Sequence, residues 1–403
     1  MPTKKQTAYT NLGIPTGKKV IISIDGGGMR GIYTVQLLKK LEEVAGSPCY
    51  EWCDMVAGTS TGAIIAGLIL KKNDAIKIEE YYMNLVSRVF TKRNFLANRY
   101  YNPPAFDKKN YRNLLKQIIG DSTLEELSLA TQLDCMFTSK DLSAGEETFF
   151  TCVNNNGVAE GTYKSALLRA VMETTMSAPT YFSPLERFVD GGTTTYNNPT
   201  MAAILEALTY TGKNKYDANK LVVFSFGTAT TLRFIDPKET SEPKGIDALF
   251  WLNYVMDETS KDASEMQIDM LRSGLVKGLD LRRYQISLDS KAIGLLPNKN
   301  IAHIPEVEAD SLHDLDDEVL SNIDMADVSK FPLMKTIGEA VSEFICPPAE
   351  AALPMNKRKS NWFQKDFIKP KSTRGALVTA HGDWETIKRN MSNKSWLDGQ
   401  RTC

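Results

Sequence analysis

Two glycine-rich turns and one aspartate hold the residue types whose spacing could do chemistry. In "GTSTG", Gly58 to Gly62, a serine stands between glycines two residues away on either side. The apolar "DMVAG" ends at this turn and the apolar "GAIIAGLILKK" continues from it. A nucleophilic serine on a sharp strand-to-helix turn has a strained backbone, and flanking glycines keep side chains from colliding there. The turn also sets Ser60 at a helix N-terminus, where backbone N–H groups and the dipole favour a developing anion. In "DGGGMRG", Asp25 to Gly31, consecutive glycines follow the strand-like "KVIISI" and expose unhindered N–H groups, as an oxyanion hole requires. Gly27 and Gly28 would face the oxygen that turns negative when Ser60 attacks an acyl carbonyl. Arg30 would add positive charge nearby or brace the loop; its plain alternative is a helix-surface position.

The glycine loop also admits a nucleotide reading. Gly26, Gly28 and Gly31 satisfy G-x-G-x-x-G after a strand. That motif needs an acid at the far end of the next strand, whereas Glu51 and Asp54 precede "MVAG", and Asp25 would repel a pyrophosphate. A Walker loop is excluded because no Gly-Lys-Ser/Thr follows. A serine nucleophile needs a base. The order Ser60, Asp190, His303 suits an α/β-hydrolase triad, although that fold spends several strands before its nucleophile and Ser60 follows the second. The other histidines are His313 and His381. The second candidate base is Asp190 alone, in "FVDGGTTTYNNP", where Gly191 and Gly192 let another loop approach. A carboxylate touching Ser60 could take its proton if burial raises its pKa toward neutrality. By itself, Asp-Gly-Gly is an ordinary turn.

These residues need elements to hold them. "KVIISI" reads as a strand buried on both faces, and Ile32, Val35, Leu38 and Leu41 recur at helical spacing behind the first turn. Helical patterns return in "IKIEEYYMNLVSRVF", "DKKNYRNLLKQII", "YKSALLRAVMETT", "PTMAAILEALTY" and much of Ile246–Arg272. Strand patterns appear in "LDCMFTSKDL", "ETFFTCV" and "KLVVFSFGT". The alternation predicts an α/β layered sheet with helices on both faces. At 403 residues the chain can bury a large core. Its net charge of −1 gives no long-range pull toward nucleic acid. The polar N-terminus lacks a signal-peptide core and "AIIAGLIL" is too short to span a bilayer, so a cytoplasmic protein with peripheral lipid contact is expected. Cys49, Cys53, Cys135, Cys152, Cys346 and Cys403 are read as reduced thiols, no second pair completing a zinc site at Cys49 and Cys53. From Pro347 onward eleven Lys and Arg face five Asp and Glu, with Trp362, Trp384 and Trp396 interleaved. The expected organisation is a segment 1–18, a catalytic domain 19–346 extended by helices after about 234, and a basic appendage 347–403.

In their order, "DGGGMRG", "GTSTG" and "DGG" resemble the patatin-like phospholipase family, with "MSAPTYFSP" and "NNP" as further echoes between about Lys19 and Gly227. The resemblance implies a three-layer α/β/α fold with a central mostly parallel sheet, to which this chain adds a C-terminal extension. It implies a Ser-Asp dyad of Ser60 and Asp190 acting on acyl esters of lipids without metal or cofactor. Gly27 and Gly28 would be the oxyanion donors, with Arg30 close by. A phospholipid substrate and peripheral membrane contact follow. Some bacterial relatives are switched on by cyclic nucleotides, although no residue here identifies such a site. An α/β-hydrolase triad and a catalytically idle lipid-sensing module stand as alternatives. The region after about Phe234, the oligomeric state and the substrate's head group are left open.

Overall fold

A computed structural model describes residues 2–89, 108–179, 181–231, 248–304 and 307–346, the side chains of 248–257 excepted. The basic appendage 347–403, with its tryptophans, His381 and Cys403, lies outside the described residues. Strands form where β-branched and aromatic residues run together. They are β1 (Lys19–Ile24), β2 (Met55–Gly58), β3 (Asp134–Asp141), β4 (Glu146–Asn155), β5 (Val158–Glu160), β6 (Phe188–Asp190), β7 (Leu221–Phe226), β8 (Thr230–Thr231), β9 (Asp280–Tyr284) and β10 (Ser287–Leu288). The helices are α1 (Lys4–Asn11), α2 (Gly31–Ala45), α3 (Thr61–Leu70), α4 (Ala75–Val89), α5 (Lys108–Ile118), α6 (Leu124–Thr131), α7 (Leu168–Thr175), α8 (Thr200–Leu208), α9 (Ala248–Arg272), α10 (Ser290–Ile293), α11 (Asp317–Ser321) and α12 (Phe331–Ile345).

The main sheet runs β5-β4-β3-β2-β1-β7-β9, with β6 beside β3. Neighbours from β3 to β9 are parallel, and β4, β5 and β6 join antiparallel. Alternation along the strands sorts the core into two layers. Val20, Ile22, Ile24, Val56, Phe137 and Phe224 pack with α2, α3, α4, α7 and α12. Ile21, Met55, Ala57, Met136 and Val223 pack on the other face with Ala203 and Ile204 of α8 and Ile268 and Leu271 of α9. The expected α/β/α layering is therefore present. All ten residues of α3 are buried, which explains its unbroken apolar run.

The structure departs from expectation at one helix start. "YKSALLRAVMETT" becomes helical only from Leu168, because residues 164–168 pair with 122–125: Leu168 N–H donates to Ser122, and Leu124 N–H to Ala166. In α9, Met266 and Met270 face outward while Ile268 and Leu271 face the core. Cys49, Cys53, Cys135, Cys152 and Cys346 are buried free thiols. Among the described residues no helix is long and apolar enough to cross a membrane.

Candidate active site

The parallel strands β1 and β2 deliver both glycine turns to the same edge of the sheet, outside their carboxyl ends, where open α/β sheets bind ligands. Gly58 ends β2, and Ser60 follows with φ 53° and ψ −125°. That backbone costs on the order of 1–3 kcal/mol and persists only under surrounding constraint. Ser60 N–H donates to Thr175 Oγ1 at 2.8 Å, and the neighbouring Thr59 Oγ1 donates to the Tyr196 carbonyl at 2.9 Å. Gly62 opens the helix against β1 so closely that a methyl group there would strike the Ile24 and Asp25 carbonyls.

Asp190 arrives on β6, whose pairing sets it opposite Ser139 of β3. Its backbone N–H donates to the Ser177 carbonyl at 3.1 Å, so Ser177 helps fix the height of the aspartate. Ser60 Oγ donates to Asp190 Oδ2 at 2.6 Å, and Gly192 N–H donates to Oδ1 at 2.6 Å. The carboxylate is 4 % exposed. Burial pushes it up to about 6, while the bonds from Ser60 and Gly192 pull it back. The turn carrying Gly191 and Gly192 thus supports the carboxylate, while a methyl group on Gly191 would strike Thr138 and one on Gly192 would crowd Asn197 and Asp190.

The glycine loop lies alongside. Gly26 N–H donates to the Asn197 carbonyl at 3.1 Å, which gives "NNP" its place. Carbonyls of the loop are occupied in turn: Gly26 accepts from Thr228 Oγ1 at 2.8 Å, Gly27 from Arg30 N–H at 3.2 Å, and Gly28 from Tyr82 Oη at 2.5 Å. A trans peptide points its N–H opposite to its C=O. Anchoring the Gly26 and Gly27 carbonyls therefore turns the Gly27 and Gly28 N–H groups the other way. Neither N–H has an acceptor among the described residues. Gly28 has φ 58°, a conformation that favours glycine, and Met29 N–H donates to the Met325 carbonyl at 2.7 Å. Arg30 is half-buried in the turn before α2, which Gly31 opens.

Both histidines of the described residues are exposed. His313 Nε2 lies 2.9 Å from the Leu296 carbonyl, and no histidine hydrogen-bonds to Asp190 among the described residues. The structure thus brings Ser60, Asp190 and the glycines together and leaves His303 and His313 on the surface. Tyr82, Thr175, Thr228 and Met325 also support the site without any spacing that marks them in the sequence. Asp25, read there only as a charge unfavourable to a pyrophosphate, is buried and ion-paired with Arg283.

Residues 22–204 match the family model "Patatin-like phospholipase". The chain is 28% identical over 267 residues to an intracellular phospholipase A2 of Caenorhabditis elegans, spanning 64% of this chain and 23% of that one. It is 28% identical over 288 residues to a cUMP-AMP-activated phospholipase of Escherichia coli, spanning 69% and 83%. Patatin-17 of Solanum cardiophyllum is 23% identical over 307 residues, spanning 68% and 76%. The chain therefore matches less than a quarter of the nematode protein's length, and most of the other two.

Proposed function

Through residues 22–204 the chain belongs to the patatin-like phospholipase family, and from that premise we propose a serine acyl hydrolase that cleaves fatty acyl esters of phospholipids. Ser60 is its nucleophile and Asp190 its base. The observation that carries this reading is the 2.6 Å hydrogen bond from Ser60 Oγ to a buried Asp190 carboxylate. In the first half-reaction Asp190 takes the Ser60 proton as Oγ bonds to the ester carbonyl carbon. Gly27 and Gly28 N–H groups hold the oxyanion, with Arg30 as nearby positive charge. Collapse breaks the ester C–O bond, and the departing lysolipid or alcohol receives the proton from Asp190. Water then gives a proton to Asp190 and attacks the acyl-serine, releasing the fatty acid and restoring Ser60. Gly26, Gly31, Gly58, Gly62, Gly191 and Gly192 shape the backbone around these steps.

Hydrolysis of short-chain esters and phospholipid by wild type, Ser60→Ala, Asp190→Asn and His303→Ala/His313→Ala tests the reading. The first two variants should lose at least ~10³-fold in kcat, as removal of a nucleophile or its base does elsewhere, while the histidine variant keeps its activity. A folded but inactive histidine variant would favour the triad instead. Lipid binding by a wild type that hydrolyses nothing would favour the sensor module.

A substrate lodged in a bilayer also requires a docking surface. We assign that role to the basic, tryptophan-bearing stretch 347–403 of a cytoplasmic, peripherally binding enzyme. The E. coli relative is a cUMP-AMP-activated phospholipase, and by analogy a cyclic nucleotide is the proposed activator here. On anionic vesicles of phosphatidylglycerol and phosphatidylcholine, deleting 347–403 should weaken binding, and added cUMP-AMP should raise the rate of fatty acid release. Unchanged binding removes the first assignment, and an unchanged rate the second.

A further inference from the structure

The glycine loop is gripped by a residue that none of the three motifs contains. Arg283 of β9 is 6 % exposed. Its Nη1 donates to Asp25 Oδ1 at 2.8 Å and to Ser225 Oγ at 2.9 Å, and its Nη2 donates to Asp25 Oδ2 at 2.5 Å. Asp25, itself 3 % exposed, is the residue at which β1 opens into Gly26, Gly27 and Gly28. The polar contacts continue away from the loop. Ser225 Oγ lies 2.6 Å from Thr200 Oγ1, which lies 3.0 Å from Ser23 Oγ. One buried chain of polar side chains thus links β9, β7, α8 and β1. The Asp25 main chain is fixed separately, its N–H donating to the Phe226 carbonyl at 2.9 Å.

We propose that Arg283 is a positioning residue for the oxyanion donors, its two-pronged grip on Asp25 setting the Gly27 and Gly28 N–H groups against Ser60. The inference rests on the hydrolase reading and extends it to a residue far downstream in the chain. An oxyanion hole works only when its donors lie ~2.7–3.1 Å from the place where the charged oxygen forms. A planar guanidinium meeting both carboxylate oxygens fixes orientation as well as distance, which a lysine ammonium cannot do. Buried charge pairs often contribute no more stability than well-packed neutral groups. A purely structural role for the pair therefore predicts that a neutral replacement keeps full activity, and a positioning role predicts that it does not.

The experiment compares full-length wild type with Arg283→Lys, Arg283→Gln and the neutral pair Asp25→Asn/Arg283→Gln. It reads kcat and KM on a soluble p-nitrophenyl ester, the rate at which an alkyl fluorophosphonate labels Ser60, and thermal unfolding. Folded variants should lose about 10²-fold in kcat, the effect of misplacing an oxyanion donor. Labelling should slow in parallel, with KM held within about threefold. The acid limb of the pH profile should not move, because Asp190 is untouched. The neutral pair leaves no lone charge in the core, so it reports even where Arg283→Gln alone fails to fold. Near-wild-type kcat and labelling in the folded neutral pair would overturn the positioning role. Absence of Ser60 labelling in wild type would instead overturn the hydrolase reading, so the two failures are distinguishable.

Discussion

Burying Asp190 suits it to take a proton and, by the same physics, costs the fold stability. Its carboxyl is pushed up to about 6 by burial, against the pull of the Ser60 and Gly192 hydrogen bonds. As the proposed base it must be ionised, so kcat/KM should rise with pH through about 6 and then level off. The linkage for stability runs the opposite way. The folded pKa lies above the unfolded one, so the folded state binds the extra proton, and this group's contribution is fully present below the unfolded value. It is lost as pH rises through about 6. Asp190→Asn should therefore abolish hydrolysis yet stabilise the protein at pH 7, by on the order of 2 kcal/mol. Denaturant unfolding of the pair at pH 7 and pH 4 measures this, and an advantage no larger at pH 7 than at pH 4 would contradict it. Ser60 and Asp190 were legible because glycine spacing marks each from its own neighbours. Thr175 and Arg283 were not, because each contributes one side chain whose partner lies far away in the chain.

At the level of elements, the turn that carries Ser60 depends on how closely α3 approaches β1. The obstacles to a methyl group on Gly62 are main-chain carbonyls of Ile24 and Asp25, which cannot rotate aside. Gly62→Ala should destabilise by about 1–3 kcal/mol, as overpacked cores do. The same substitution should lower kcat more than ~10-fold by shifting Ser60 against the glycine loop. Thermal unfolding and ester kinetics together check this, and an alanine variant with normal kcat would show that the approach has slack. The buried parallel strands were readable because both their faces meet helices, which leaves nearly continuous apolar runs. β9 escaped that reading. Its "DLRRY" shows two adjacent arginines; Asp280 of the same strand pairs Arg282, and only the topology supplies Asp25 to Arg283. α6 also went unread although its capping box, Thr123 with Glu126, is visible as Thr-x-x-Glu.

For the whole molecule, the region matched by the family and the region needed to build the site are different lengths of chain. The match ends at residue 204, but β1 lies between β2 and β7 at the centre of the sheet. A fragment ending at 204 loses β7, and with it Phe226, Thr228, Arg283 and Met325, all of which hold the glycine loop. Such a fragment should show neither cooperative unfolding nor ester hydrolysis, whereas residues 1–346 should show both; circular dichroism melts and a chromogenic ester decide it. The grip of Arg283 on Asp25 also has a meaning in time. A polypeptide is made from its N-terminus, so Ser60 is synthesised roughly 220 residues before Arg283, which at ~5–20 residues per second is an interval of tens of seconds. Through that interval Ser60 exists without the finished glycine loop beside it. On the proposed reading, chain order alone would keep the newborn chain inert until most of it has been translated.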